Sequence, residues 1–389
     1  MNYLFMFKRK LTTHQLGYFL KYTGIRLRFL DLVFTWLLVL PSVSLKYLRR
    51  RLTRKWHLSR QNPPEYDCAI VRPGGMGDLI LAGKAFDALN TYSGKAIWLI
   101  QKRGEAWAIQ NGMNYVIIDD ISFINTIVNG IQCRYIVNSE QYYGLGAIIA
   151  LAIARSGSII AGFCSNRLAW TQDLTAKYQN KSRHEYYSFL DLFSLVCGNS
   201  DENDRNLLVR RSKKKQLNGI LAIGIAGFNC QSRSLSVELW EKYTKIILKE
   251  GTYRCVSIIC QASDLKFGSA LARRLGSNLD ITVNIISGGF AQACSTIKNA
   301  DRVLTIDGGL VHVSSYYNVP VDAIFTAGDP CKWHPLEETS TIIKSSKKLK
   351  CMPCTYYGKI SRCMLKYECR NSLKESYVRT PIRDIGQVS

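Results

Sequence analysis

The sequence predicts two successive α/β domains, and three observations predict them. Short apolar runs of strand length alternate with helical segments over residues 65–345. A polar, charged stretch from Gly198 to Lys215 divides that alternation into two series of similar size. A length of 389 residues and an apolar share of 47% suffice for two ordinary cores and exclude a largely disordered chain.

Ahead of the first domain, residues 1–64 form a basic extension. Between Met1 and Arg60 thirteen Lys or Arg stand against one acid, Asp31, which places about half of the formal net charge of +23 there. The longest apolar run, Phe29 to Leu40, contains Asp31 and is too short to span a bilayer. It suits a helix lying in a membrane interface, with Phe34, Trp36 and Leu37 directed into the lipid and basic residues from Lys46 to Arg60 meeting anionic headgroups. Helices packed on the protein's own body with a solvated basic face are the alternative. No nucleic-acid-reading motif accompanies the charge, so nucleic acid is not expected as a partner. Pro63 and Pro64 mark the boundary. The basic start lacks the pattern of a secretory leader, and the cysteines number thirteen, an odd count scattered through apolar runs. A reducing, cytoplasmic setting with mostly inert thiols is expected.

The first domain, residues 65–200, opens on a strand from Cys68 to Val71. Gly74, Gly75 and Gly77 form a turn, and Asp78 is expected to open a helix as its N-cap, with Leu79, Ala82, Phe86 and Leu89 on the apolar face. Such a turn lets backbone approach a ligand, and the unpaired N–H groups at the helix start favour an anionic oxygen. The spacing matches neither GxGxxG nor GxxxxGK[ST]. Strands follow at Ala96–Gln101, Tyr115–Asp119 and Arg134–Val137, then a helix over Leu145–Ala154 and a strand over Ser158–Phe163. Arg183 and His184 lie in an aromatic, partly helical stretch, where they serve either an acceptor cleft or a solvated helix face.

The second domain, residues 216–345, repeats the pattern. Its strands are Leu221–Ala226, Val256–Cys260, Ile281–Ile286, Arg302–Ile306 and Val321–Phe325, with helices at Trp240–Leu248, Phe267–Leu275 and Gln292–Lys298. Three polar loops follow strand ends, where ligands of open α/β sheets lie. GFNCQSRSLSVELW offers Asn229, Ser232 and Arg233, the last suited to bidentate pairing with phosphate. IDGGLVH offers Asp307, Gly308, Gly309 and His312; FTAGDPCKWHP offers Asp329 and Lys332. Each loop alone is ordinary, and the three together point to one binding site.

With these motifs in order, the chain resembles the ADP-heptose:lipopolysaccharide heptosyltransferases of glycosyltransferase family 9, which have the GT-B fold of two facing Rossmann-like domains. The resemblance rests on VRPGGMGDLILAGKAFDAL, SRSLSVELW and ADRVLTIDGGLVHVSSYYNVPVDAIFTAGDPCKWHP, and covers about residues 66–370. It implies an inverting glycosyltransferase that moves heptose from ADP-heptose to a lipopolysaccharide core or related glycan, working peripherally at the cytoplasmic face of the inner membrane. Asp78 is the implied general base. Gly74, Gly75 and Met76, with Arg183 and His184, fall on the acceptor side; Asn229, Ser232, Arg233, Asp307, Gly308, Gly309, His312, Asp329 and Lys332 fall on the donor side. Arg233 stands where the family usually has lysine, and Gly308 replaces the threonine of its D-T-G pattern. No metal is implied for the chemistry. Alternatives are another nucleotide sugar or a protein acceptor on the same fold, and a noncatalytic membrane-associated scaffold.

In the last segment, residues 346–389, Cys351, Cys354, Cys363 and Cys369 are spaced C-x2-C-x8-C-x5-C. Four thiolates in such a series can hold structural zinc or iron. Reduced, unliganded thiols and disulfides are the other two states.

Overall fold

The computed structural model describes residues 65–89, 95–120, 122–142, 144–155, 157–179, 183–197, 217–225, 231–277, 281–354, 363 and 365–387. The basic extension, with Phe34, Trp36, Leu37 and the Lys46–Arg60 stretch, lies outside the described residues, as does Asn229. The chain divides into two compact units, the larger of which comprises residues 64–153 and 158–389.

That unit contains two sheets. The first is built from β1 (Tyr66–Arg72), α1 (Met76–Ala88), β2 (Ala96–Ile100), α2 (Glu105–Gln110), β3 (Asn114–Ile117), α3 (Phe123–Asn129), β4 (Cys133–Asn138), α4 (Leu145–Ile153), β5 (Ile159–Phe163), β6 (Leu174–Ala176) and α5 (Glu185–Cys197). Its six strands run in the order β3-β2-β1-β4-β5-β6, every neighbour parallel. Cys68, Ala69, Ile70 and Val71 of β1 are fully buried, as a strand covered on both faces requires. The order reverses between β1 and β4. A crevice therefore opens beyond their carboxyl ends, at residues 72–76 and 139–142.

The second sheet follows the same plan. It comprises β7 (Ile220–Gly224), α6 (Val237–Glu250), β8 (Cys255–Ile259), α7 (Leu265–Gly276), β9 (Thr282–Ile286), α8 (Phe290–Asn299), β10 (Arg302–Ile306), α9 (Gly309–Tyr316), β11 (Val321–Phe325), α10 (Pro330–Trp333), β12 (Thr341–Ser345), α11 (Glu368–Asn371) and β13 (Tyr377–Pro381). The order is β13-β12-β11-β10-β7-β8-β9, and it reverses between β7 and β10. Only β13 is antiparallel to its neighbour. It is held by charge as well as by the ladder: Asp322 of β11, wholly buried, is paired by Arg302 and by Arg379 of β13, the latter at 2.7 Å. Burial alone would raise the Asp322 carboxyl. Those arginines and the Thr341 hydroxyl hold it below the usual carboxylate range instead.

Strand positions agree with the sequence reading to within a residue or two, except that β6, β12 and β13 were not expected. Asp78 is not the N-cap of its helix. Gly75 occupies that position with extended backbone, the helix starts at Met76, and Asp78 sits inside the first turn. The two glycines before Met76 let the helical turn begin earlier than a search for a capping side chain suggests.

Candidate functional site

The two strand-order reversals are brought together by α1 and α9. Gly77 of α1 faces His312 of α9 so closely that a Cβ there would lie 2.8 Å from the imidazole Cδ2. One turn along, the Met76 methyl reaches Gly309. At the other end of α1, the Lys84 ammonium donates to Asn318 Oδ1 at 2.8 Å, and the Tyr316 hydroxyl donates to Asp87 at 2.8 Å. Burial lowers Lys84 to about 8, opposed by Asp87. Trp107 of α2 packs edge-on against Tyr316 and Phe290 of the second sheet's helices. Apolar packing beside α1 and α9, and polar bonds at their ends, fix the distance between the two crevices.

On the first side stands Asp78, a quarter exposed, with Oδ2 at 2.7 Å from the buried Arg72 guanidinium. Arg72 ends β1, and its other terminal nitrogen donates to the Ser139 carbonyl at 2.6 Å. Gln141 continues the network from Arg72 to Glu185, which also accepts from the Tyr178 hydroxyl at 2.9 Å. Burial raises the Glu185 carboxyl, opposed chiefly by Lys332, whose ammonium lies 3.4 Å away. Glu140, at the end of β4, accepts from the Gly146 N–H at 2.7 Å at the start of α4. Burial pushes it up to about 7 against that bond and Arg72.

Across the junction, the loops after β7 and β10 place Arg233 3.7 Å from Asp307. Asp307 is pushed up to about 6 by burial, with Arg233 opposing. Its carboxylate occupies the space where a side chain at Gly328 would stand, since a Cβ there would lie 2.0 Å from Oδ2. His312 is buried with Nδ1 lacking a hydrogen-bond partner. Burial lowers it to about 4, so the ring is neutral at physiological pH.

The sequence-predicted residues therefore separate. Gly74, Gly75, Met76, Asp78, Arg233, Asp307, Gly308, Gly309 and His312 converge on the α1/α9 junction; Ser232 lies beside Arg233 in the same short turn. Four others are engaged elsewhere. Asp329 caps α10 by accepting the Cys331 N–H. Lys332 turns to Glu185 and lies over the Tyr178 ring. Arg183 pairs with Asp191 and lies over Tyr187. His184 is buried and neutral: Nδ1 accepts the Tyr186 N–H and Nε2 donates to the His334 carbonyl at 2.8 Å, linking the two halves. Sequence reasoning missed Arg72, Glu140, Gln141, Tyr178 and Glu185. A basic residue ending a strand next to the glycine turn was the one available signal.

The expected metal site is corrected. Among the described residues no group of three or more His, Cys, Asp or Glu is arranged to hold a metal ion, which overturns zinc or iron at Cys351, Cys354, Cys363 and Cys369. None of the four forms a disulfide. Burial pushes the Cys369 thiol up to about 12, with its neighbouring cysteines adding to the shift. Among the described residues no helix is long and apolar enough to cross a membrane.

The model of glycosyltransferase family 9 (heptosyltransferase) matches residues 152–365, more than half of the chain. The chain belongs to this family. It is a glycosyltransferase, and its two-sheet α/β architecture is consistent with a GT-B-like fold. A family 9 glycosyltransferase from Veillonella parvula DSM 2008 is similar in structure at 12% identity and a TM-score of 0.57, covering 82% of this chain and 98% of that one. The E. coli ADP-heptose lps heptosyltransferase II is similar at 14% identity and a TM-score of 0.51, covering 72% and 90%. E. coli heptosyltransferase WaaC, solved with ADP-2-deoxy-2-fluoro heptose, is similar at 13% and 0.53, covering 68% and 90%. Among curated proteins no relative matches.

Proposed function

We propose that this glycosyltransferase moves a heptosyl group from ADP-heptose to a hydroxyl of a lipopolysaccharide core or related glycan, with inversion at the anomeric carbon. One observation carries the reading: Asp78 presents a carboxylate at the start of α1, while the loops after β7 and β10 bring Arg233 and Asp307, and α9 brings His312, to the same junction. Asp78 Oδ1, the carboxylate oxygen that Arg72 leaves open among the described residues, takes the acceptor hydroxyl's proton as that oxygen attacks. The bond from the anomeric carbon to the diphosphate oxygen breaks, and ADP leaves with the electron pair. Arg233 and the N–H groups opening α9 stabilise the charge that develops. The neutral His312 adds no positive charge there and offers one ring nitrogen as a donor or acceptor. Glycines at 308 and 309 let a sugar approach the backbone.

The acceptor is taken at the cytoplasmic face of the inner membrane, with the basic extension drawn to anionic lipid. Gly308 favours a second reading, in which another nucleotide sugar or a protein acceptor is used, because a hydroxyl contact is absent beside the donor. Purified full-length chain assayed with ADP-heptose, UDP-sugars and GDP-sugars, with extracted core lipid and with Asp78→Asn as control, separates these. Turnover confined to ADP-heptose and lost in the variant is expected. Consumption of a different sugar moves the assignment to the second reading, and unchanged turnover by Asp78→Asn removes Asp78 from its role.

A further inference from the structure

Arg72 has an unusual number of constraints for a residue to which the sequence reading gave no role. It is 4% exposed, at the last position of β1. One terminal nitrogen is fixed by the Ser139 carbonyl at 2.6 Å, with Gln141 Oε1 at 3.4 Å; the other meets Asp78 Oδ2 at 2.7 Å. The guanidinium lies over the buried Phe189 ring, 5.3 Å from its centroid. A Cβ on Gly74 would stand 3.3 Å from the nitrogen that holds Asp78, so the turn leaves room for the fork. An arginine held on three sides is a rigid donor, and its planar geometry is pre-organised in a way lysine's is not.

We infer that Arg72 is the positioning residue of the reaction: it clamps Asp78 Oδ2 and so aims Oδ1 at the acceptor hydroxyl. This rests on the role of Asp78 proposed above. The first turn of α1 does not aim Asp78 by itself, because among the described residues Arg72 holds its side chain in the one ion pair it makes. Without the clamp the carboxylate is free to rotate about its side-chain bonds. A displacement of about 1 Å at a reacting group costs on the order of 10²-fold in rate.

The test is a double-mutant cycle on the full chain with ADP-heptose and core lipid, reading ADP release. Arg72→Ala lowers kcat by about 10²-fold with the donor KM little changed, whereas in an Asp78→Asn background it costs less than about threefold, since there is no base left to aim. Millimolar guanidinium restores part of the Arg72→Ala rate only while Asp78 is present, and Arg72→Lys falls between Arg72→Ala and the parent. Equal losses in the two backgrounds, or rescue that ignores Asp78, overturn the inference and leave Arg72 a packing residue. Should Asp78→Asn itself retain full activity, the base assignment fails instead. If the parent chain releases no ADP from ADP-heptose, the donor reading fails; the clamp is then decided by the same cycle read as urea midpoints, where equal shifts in both backgrounds overturn it. Should Arg72→Ala not fold, Arg72→Met retains the stem that covers Phe189 and replaces it in the cycle.

Discussion

At the β1/β4 reversal the carboxylate stands after the glycines, inside a helix, a quarter exposed and gripped by Arg72. At the β7/β10 reversal it stands before them, at the strand end, with Asp307 only 4% exposed and Arg233 more distant at 3.7 Å. Both crevices use a strand, two glycines, a helix and one Arg–Asp pair. Their electrostatics differ because burial differs. Asp307 is pushed up to about 6 by the water it has lost, while Asp78 retains solvent and a close cation. Position relative to the glycines thus selects between a carboxylate open to solvent and one packed away from it.

Exchanging the charge at each reversal in turn breaks the comparison most sharply. Asp78→Asn should lower transfer by about 10²–10⁴-fold, and should lower the thermal midpoint as well because the buried Arg72 loses its carboxylate partner. Asp307→Asn should act mainly through donor KM, and steady-state kinetics of the two variants distinguishes them.

A second carboxyl near the first crevice sharpens the role of burial. Glu140 is raised in the folded chain to about 7. Between its unfolded value and 7 the native state holds the extra proton, so its contribution to stability is present at low pH and is lost as pH rises through that window. Glu140→Gln keeps the acceptor for the Gly146 N–H and should be more stable than the parent at pH 8 by up to about 3 kcal/mol, with the advantage vanishing near pH 4. Urea titrations at the two pH values check the sign. His312, lowered to about 4, has the opposite slope: its contribution is present above its unfolded value and is lost as pH falls toward 4.

Gly77→Ala puts a methyl 2.8 Å from the His312 ring and should cost about 1–3 kcal/mol by overpacking, with a loss of transfer that follows from moving α1 off α9. Tyr316→Phe removes the bond to Asp87 at the far end of the same helix pair and should cost about 1 kcal/mol. Because that end is distant from Asp78, its effect on kcat should be small. Comparing the two unfolding midpoints and rates shows whether the junction or the bolt sets the geometry.

Much of the fold was legible because buried parallel strands read as apolar runs: β10 and β11 have the boundaries the sequence predicts. Strand β6 escaped because it has only three residues, LTA, and β13 because YVRTP is polar and proline-bearing, as suits an edge. Asp78, Arg233, Asp307 and His312 were legible from glycine turns at strand ends. Lys332 was read in the same way and His184 from an aromatic, partly helical stretch; both are used elsewhere, since sequence does not say which polar groups a neighbouring element will claim. The late cysteines teach the same point, for C-x2-C spacing counts residues along the chain and a metal counts directions in space.

By itself the sequence determined the alternation of strands and helices, the glycine turns and the charged residues beside them, because hydrophobic period and backbone freedom are local properties. Tertiary structure alone decided which strand ends became neighbours. Strand order put Ser139 and Gln141 of the loop after β4 around Arg72 at the end of β1, and the packing of α1 on α9 set Gly77 against His312. Pair energies and desolvation depend on distance and on water excluded, and neither quantity exists until the two sheets have formed.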